Sequence, residues 1–117
     1  MLLRQRRVSR RQFPLILRVS RSWTSPILSL RIASRTTGGA QKPTSFGFVV
    51  SHKVAANATD RNRLKRRARA IVRELLLKVK DNYGCLLFFK TGAAALSYRE
   101  LKNAIRAILA RALIIVP

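Results

Sequence analysis

The side chains with the most distinct chemistry in this sequence are cationic and lie between residues 61 and 69. Guanidinium groups bind phosphate through two parallel hydrogen bonds, and an ammonium group binds it as a point charge. The chain has only four acidic residues, which cannot neutralise its 25 Lys and Arg. A polyanion is therefore the expected partner, and a solvated charged face is the alternative. The cluster consists of Arg61, Arg63, Lys65, Arg66, Arg67 and Arg69.

Residues that could support catalysis by the protein itself are sparse. A nuclease needs paired carboxylates for metal ions, or an acid and a base, and the four acids Asp60, Glu74, Asp81 and Glu100 are scattered along the chain. His52 is the single histidine and Cys85 the single cysteine, so no metal-ligand cluster is expected. No glycine-rich phosphate loop is present. The residues predict a protein that binds rather than catalyses.

A helix must position the cationic cluster. Apolar residues recur at helical spacing from Leu64 to Val79, and Thr59 or Asp60 is expected to cap the start of this helix. At about 100° per residue, Arg63 and Arg67 flank the apolar stripe on one side. The other side carries a polar and basic group: Asn62, Lys65, Arg66, Arg69 and Arg73.

Composition restricts the remaining possibilities. The chain has 117 residues, 48% of them hydrophobic, and a net charge of +21. These values predict a single domain over residues 1–117, with a flexible basic arm over residues 1–9. An anionic membrane surface is the second candidate partner, but no apolar run reaches the roughly 18 residues of a membrane span. One cysteine suits a reducing compartment, and we expect a cytoplasmic protein. The first 36 residues contain no acid, which is also typical of an organellar transit peptide.

The other segments predict an α+β fold, with one mixed sheet of about four strands covered by helices. A helix is expected near residues 10–19, with Phe13, Ile16 and Leu17 on one face. Gly47 lacks a side chain, which would let a nucleotide backbone approach the sheet. Ser97 and Glu100 form a predicted capping box for the last helix. The expected strands are residues 20–23, 27–32, 45–51 and the continuous apolar run 85–89, which indicates a central strand.

Two segments resemble the signature of the bacterial ribonuclease P protein subunit. The first is Phe-Val-Val-Ser-His-Lys-Val at residues 48–54, and the second is Arg-Asn-Arg-Leu-Lys-Arg at residues 61–66. His52 departs from the pattern, because the family usually has Lys there. The resemblance covers roughly residues 5–113 and is strong from residue 46 to residue 73.

The resemblance implies a left-handed crossover around the basic helix, shared with a domain of certain ribosomal proteins. It also implies a role beside a catalytic RNA subunit that uses Mg²⁺ to remove the 5′ leader from precursor tRNA, with the protein inactive alone. A small basic ribosomal protein binding rRNA is the alternative, and a self-sufficient RNA nuclease is the enzymatic rival.

Two groups of site residues follow from the resemblance. The catalytic RNA is expected to contact Lys53, Arg61, Asn62, Arg63, Lys65, Arg66, Arg69 and Arg73. The single-stranded leader is expected in a cleft of Phe13, Leu17, Phe46 and Phe48. For Phe13, an ordinary core position is the alternative.

Overall fold

A four-stranded mixed sheet organises residues 6–34 and 42–115, the part of the chain that the computed structural model describes. The strand order is β1-β2-β4-β3. The strands are β1 Arg21–Thr24, β2 Leu28–Ser34, β3 Ser45–Val49 and β4 Tyr83–Phe89. The helices are α1 Gln12–Val19, α2 Ala58–Leu75 and α3 Tyr98–Arg111, with short 3-10 helices at Leu76–Lys78 and Ala93–Ala95. The predicted α+β class is confirmed.

Strand β4 is central, as its continuous apolar run predicts. It pairs antiparallel with β2 and parallel with β3, and α2 lies on the crossover that joins β3 to β4. Successive strand residues project to opposite faces of the sheet. Cys85, Leu86 and Leu87 are nevertheless all 0% exposed, because helices cover both faces at this point.

The larger core lies between the sheet and helices α2 and α3. Leu28, Leu30, Phe46 and Leu87 project into it from three strands. The predicted apolar stripe of α2 is confirmed, although Val79 lies beyond the helix and pairs instead with Ile115 in an isolated bridge. The buried residues of α2 are Leu64, Ala68, Ile71, Val72 and Leu75.

The opposite face of the sheet is covered by α1 and by Val8 of the segment before it. Ile16 packs there against Ala33 and Leu86 in a second, smaller cluster. The prediction that Gly47 admits a nucleotide is wrong: a Cβ atom there would lie 2.7 Å from Leu86 Cδ2 and 3.2 Å from Val8 Cβ. The space above Gly47 is therefore filled by the chain itself.

The segment before α1 lies beside the outer edge of β3. Arg7 forms a parallel bridge with Phe46, and the Val8 amide donates to the Phe46 carbonyl at 3.0 Å. Of the arm predicted over residues 1–9, Arg7 and Val8 thus pair with β3, and residues 1–5 lie outside the described residues. Since residues 7–34 supply α1, β1 and β2, that part of the basic N-terminal segment is structural.

Helix ends depend on local hydrogen bonds. Asn57 caps α2, because its side chain accepts from the Asp60 amide at 2.9 Å, so the cap predicted at Thr59 or Asp60 is wrong. The capping box of Ser97 and Glu100 is confirmed. Helix α1 begins at Gln12 rather than Arg10.

Within the described ranges, no helix has both the length and the apolar character needed to cross a bilayer.

Candidate nucleic-acid interface

The cations of α2 divide into two groups around its buried stripe, as the helical spacing predicts. Arg63 and Arg66 are both exposed, and neither guanidinium forms a hydrogen bond or ion pair with the described part of the chain. Arg63 lines a depression with Asp60, Leu64, Arg67 and Ala94. The second depression, on the other side of the stripe, is lined by Thr59, Asn62, Arg66 and Arg69.

Two arginines of the cluster are hydrogen-bonded to the protein backbone. Arg61 Nη1 donates to the Ala55 carbonyl at 3.0 Å and the Ala56 carbonyl at 2.9 Å. These bonds fasten the loop before α2 to the first turn of the helix. Arg67 Nη1 donates to the Leu96 carbonyl at 3.3 Å, which joins α2 to the segment before α3.

The remaining predicted RNA-contact residues extend the basic surface along the chain. Lys53 is exposed on the turn between β3 and α2, and Arg73 is exposed in the last turn of α2. Lys65 is half-buried on the same helix. The structure thus places all eight predicted residues on α2 or the loop that leads into it. Their side chains differ in exposure: some are fully exposed and others half-buried.

Acidic groups do not form a catalytic constellation. Glu74 forms an ion pair with Lys102 of α3 at 2.9 Å, and this hydrogen bond lowers the pKa of Glu74. The backbone hydrogen bond from Ser97 lowers the pKa of Glu100. Residues 6–34 and 42–115 contain no group of three or more His, Cys, Asp or Glu side chains able to hold a metal ion.

The histidine and the cysteine do not act together. His52 is exposed on the turn after β3, whereas Cys85 is buried in the larger core. Burial raises the pKa of the Cys85 thiol, so the reactive thiolate is disfavoured.

The strip of the sheet face that α1 leaves partly exposed is here called the groove. The strand register aligns Thr24 with Ser29, Ser29 with Phe88, and Phe88 with Val49. Paired residues point to the same face, so these four side chains form a row from β1 to β3 over about 14 Å. Ser29, Phe88 and Val49 remain partly exposed, because α1 packs over the neighbouring row at Leu86. This row, Thr24–Ser29–Phe88–Val49, is the floor of the groove.

Helix α1 forms one wall of the groove. The rings of Phe13 and Phe88 meet edge to face, with centroids 6.4 Å apart and an interplanar angle of 65°. Both rings are only partly buried. Arg31 Nη1 lies 3.5 Å from the Leu17 carbonyl and 3.4 Å from Ser20 Oγ, which ties the end of α1 to the sheet. The groove therefore presents aromatic surface, whereas Arg31 lies in the neighbouring row with its guanidinium directed at the end of α1.

The structure corrects the predicted aromatic cleft. Phe46 is 1% exposed in the larger core, and Phe48 packs against that core from the same face of β3. Phe13 and Leu17 lie on the opposite face of the sheet. Phe46 and Phe48 therefore cannot share a cleft with α1, because residues two apart on a strand project together. The prediction is wrong for these two phenylalanines.

Phe88 is the aromatic residue that sequence reasoning missed. It lies in the apolar run of β4, where no alternation of polar and apolar residues indicates which side chains face α1. Only pairing with Ser29 and Val49 shows that Phe88 belongs to the groove floor.

Comparison with known proteins gives consistent matches. The family model described as Ribonuclease P matches residues 2–113. The ribonuclease P protein component of a Pseudanabaena species is 38% identical over 115 residues, covering 96% of this chain and 95% of that protein. The corresponding protein of Microcystis aeruginosa is 36% identical over 76 residues, covering 65% and 63% of the two chains.

Solved structures agree with the fold described above. The Staphylococcus aureus RNase P protein superposes with a TM-score of 0.82 at 17% identity, covering 97% of this chain and 100% of that chain. The RNase P protein of Thermotoga maritima superposes with a TM-score of 0.78 at 22% identity, covering 90% and 96%.

Proposed function

The chain belongs to the ribonuclease P protein family and has the role of the protein subunit in tRNA processing; from this premise, we propose that its two surfaces bind two different RNAs. The basic face of α2 binds the RNA subunit, and the groove beside α1 binds the single-stranded leader of precursor tRNA. Family membership supports the ribonuclease P role over a ribosomal one and implies partnership with ribonuclease P RNA.

The electrostatics of α2 support its assignment to the RNA subunit. Arg63 and Arg66 are exposed and have no counter-ion among the described residues, so their charge is available to phosphate. Several such contacts along one rigid helix would release counter-ions from a folded RNA and give a salt-dependent affinity. Arg61 contributes by holding the loop that leads into this surface.

The pair of partly exposed rings, Phe13 and Phe88, is the observation that carries the leader assignment. Unpaired bases stack on aromatic side chains, and sequence-independent grooves combine such rings with positive charge. Arg31, in the row next to Phe88, adds positive charge at the end of α1. The base-paired stems of a tRNA do not offer unstacked bases, so the groove selects a single-stranded part of the substrate.

The chemical step is assigned to the RNA subunit. Glu74 is bound to Lys102, and Glu100 caps α3, so two of the four acids have structural roles. The described acids do not converge on a metal site. We assign Mg²⁺ to the RNA subunit and the substrate phosphates, which supply the oxygen ligands this ion prefers. The protein then acts within the holoenzyme by binding and positioning.

The affinity ratio of precursor to mature tRNA, measured with and without the protein at fixed salt and Mg²⁺, tests the leader groove. The protein is expected to favour the precursor by about 1–3 kcal/mol for one stacked base. Phe13→Ala and Phe88→Leu should each reduce that preference without weakening assembly with the RNA subunit. A parallel incubation of precursor tRNA with the protein and Mg²⁺, but without the RNA subunit, should leave the leader uncleaved.

Leu15→Ala is the matched control. Leu15 lies on α1, but it is 54% exposed and does not belong to the smaller apolar cluster between α1 and the sheet. It should leave the preference unchanged. Equal tightening of both tRNAs by the unaltered protein would refute the leader groove. Specific cleavage by protein alone, retained through stringent purification, would refute the assignment of the chemistry to RNA.

A further inference from the structure

Two arginines on the exposed side of helix α3 have no partner in the described part of the chain. Arg99 and Arg106 are exposed, and neither guanidinium forms a hydrogen bond or ion pair there. Since they are seven residues apart, they project in nearly the same direction, roughly 10 Å from each other along the helix. The exposed amide of Asn103 lies between them. Arg99 and Arg106 are called the α3 pair.

Helix α2 carries a matching pair of cations. Arg66 and Arg73, called the α2 pair, are exposed and likewise seven residues apart, and neither guanidinium has a partner among the described residues. Both helices pack on the same face of the sheet, where Glu74 of α2 forms its ion pair with Lys102 of α3. Packed helices are about 8–10 Å apart axis to axis, so the two arginine pairs stand side by side at a comparable spacing.

A neutral strip separates the two pairs. Glu74 and Lys102 balance each other at 2.9 Å, and their side chains remain 47% and 30% exposed. The Tyr98 hydroxyl lies beside the same carboxylate. Arg99 and Arg106 are three residues before and four after Lys102, so they border this strip on the flank of α3 that faces α2. The surface therefore has a positive pair on each side and neutral hydrogen-bonding groups between them.

This pattern fits the minor groove of a double-helical RNA segment. An A-form duplex has two phosphate backbones on either side of a wide, shallow minor groove, and 2′-hydroxyl groups line that groove. Each arginine pair can bind one backbone. A carboxylate is repelled by phosphate, but midway between the backbones Glu74 and Tyr98 meet hydroxyl groups, which both donate and accept. A single strand has one backbone and would leave one arginine pair unused.

We infer that the α2 pair and the α3 pair bind a double-helical segment of the RNA subunit across its minor groove, one pair on each strand. The neutral strip of Tyr98, Glu74 and Lys102 then faces the 2′-hydroxyl groups between the strands. This inference rests on the proposed assignment of α2 to the RNA subunit. It extends that assignment to a second helix and to a defined RNA shape, through cations that the sequence motif of α2 does not include.

The affinity of the full chain for the RNA subunit, measured in a salt series, tests the α3 pair. Arg99→Gln combined with Arg106→Gln should weaken binding about three- to tenfold and lower the slope of log affinity against log salt by about 0.9 for each duplex phosphate lost. Arg21→Gln combined with Arg111→Gln is the charge-matched control. Both of these residues are exposed, but Arg21 lies in β1 and Arg111 donates to the Thr24 carbonyl of that strand. The control should change affinity and slope much less, and thermal melts verify that each variant is folded.

Hydroxyl-radical footprinting of the RNA subunit tests the duplex geometry. The unaltered protein should protect two strand segments that face each other across one minor groove. Arg66→Gln combined with Arg73→Gln should remove protection from one strand, and the α3 double variant should remove it from the other. Tyr98→Phe should reduce the preference for a short RNA duplex over a DNA duplex of the same sequence about two- to tenfold, because only RNA offers the 2′-hydroxyl.

The outcomes separate this inference from the assignment of α2 itself. If the α2 double variant weakens binding to the RNA subunit while the α3 double variant behaves like its control, the α2 assignment stands and the two-helix surface is wrong. If both variants weaken binding but remove protection from a single-stranded segment, or from the same strand, the minor-groove geometry is wrong. If neither variant differs from the control, both assignments fall.

Discussion

The arginines of helix α2 have different roles in this fold. The guanidinium of Arg61 donates to two backbone carbonyls of the preceding loop, and the guanidinium of Arg67 donates to one carbonyl before α3. Arg63 and Arg66 point to solvent. A cation already bonded to the protein adds less to phosphate binding than a free one, because its donors are partly occupied.

Alanine substitution should separate these two kinds of arginine. Arg66→Ala is expected to weaken binding to the RNA subunit and to lower the salt slope by about 0.7–0.9, with unchanged thermal stability. Arg61→Ala is expected to lower the free energy of unfolding by about 1 kcal/mol, because two backbone carbonyls lose a charged donor. Denaturant unfolding and RNA affinity measured on both variants provide the check. Equal stability loss for the two would contradict the distinction.

At the scale of elements, a capping box begins α3, and an ion pair joins α3 to α2 beside their shared apolar core. The Ser97 side chain accepts from the Glu100 amide at 3.1 Å, and Glu100 Oε1 accepts from the Ser97 amide at 2.9 Å. Glu74 of α2 forms an ion pair with Lys102, which lies two residues after Glu100 in α3. The acids of this region therefore stabilise helices rather than compete with the basic surface.

Loss of the capping box should weaken α3. Ser97→Ala is expected to lower the free energy of unfolding by about 0.5–2 kcal/mol, because one amide at the helix start loses its acceptor. Urea unfolding of this variant beside Ser22→Ala measures the effect, since Ser22 is exposed on strand β1. Similar losses for the two substitutions would contradict a specific contribution of the cap.

The same capping box predicts a pH dependence. The pKa of Glu100 is below its ordinary value of 4.5, mainly through the Ser97 backbone hydrogen bond. A lowered carboxyl pKa contributes stability that is present above the unfolded value and is lost as pH falls through the folded value. The difference in stability between the unaltered chain and Glu100→Gln should therefore shrink as pH falls below about 4.5. A difference that grows on acidification would reverse this sign.

The whole molecule carries a net charge of +21 on 117 residues, so its cations repel one another in the folded state. Screening shortens the range of this repulsion from about 30 Å at 0.01 M salt to about 8 Å at 0.15 M. A multivalent anion that binds the folded basic surfaces adds stability by mass action. The isolated protein should therefore be least stable in dilute monovalent salt.

Thermal unfolding in a salt series tests this charge effect. The midpoint temperature should rise from 0.01 M to 0.15 M sodium chloride, and it should rise further when sulfate replaces chloride at equal ionic strength. Arg63→Gln combined with Arg66→Gln should reduce the additional effect of sulfate. A midpoint that stays constant or falls with salt would show that self-repulsion is unimportant for stability.

Several features follow from the sequence because they depend on local spacing. The stripe from Leu64 to Leu75 and the capping box of Ser97 and Glu100 each involve residues within a few helical turns, and both are found. The central position of β4 follows from an apolar run that is stable only with both faces covered. The scarcity of acids, which argues against a protein-borne metal site, is a property of composition alone.

Other features depend on which residues the sheet brings together, and no local pattern encodes them. The assignment of aromatic residues to the two faces of the sheet is decided by strand register: Phe46 and Phe48 enter the larger core, whereas Phe88 meets Phe13 across 75 residues of sequence. The hydrogen bonds that Lys90 and Arg111 each donate to Thr24 likewise form only where β1, β4 and α3 meet at one corner of the fold. A one-residue change of register would reverse every face, so these contacts arise only once the tertiary packing has selected the register.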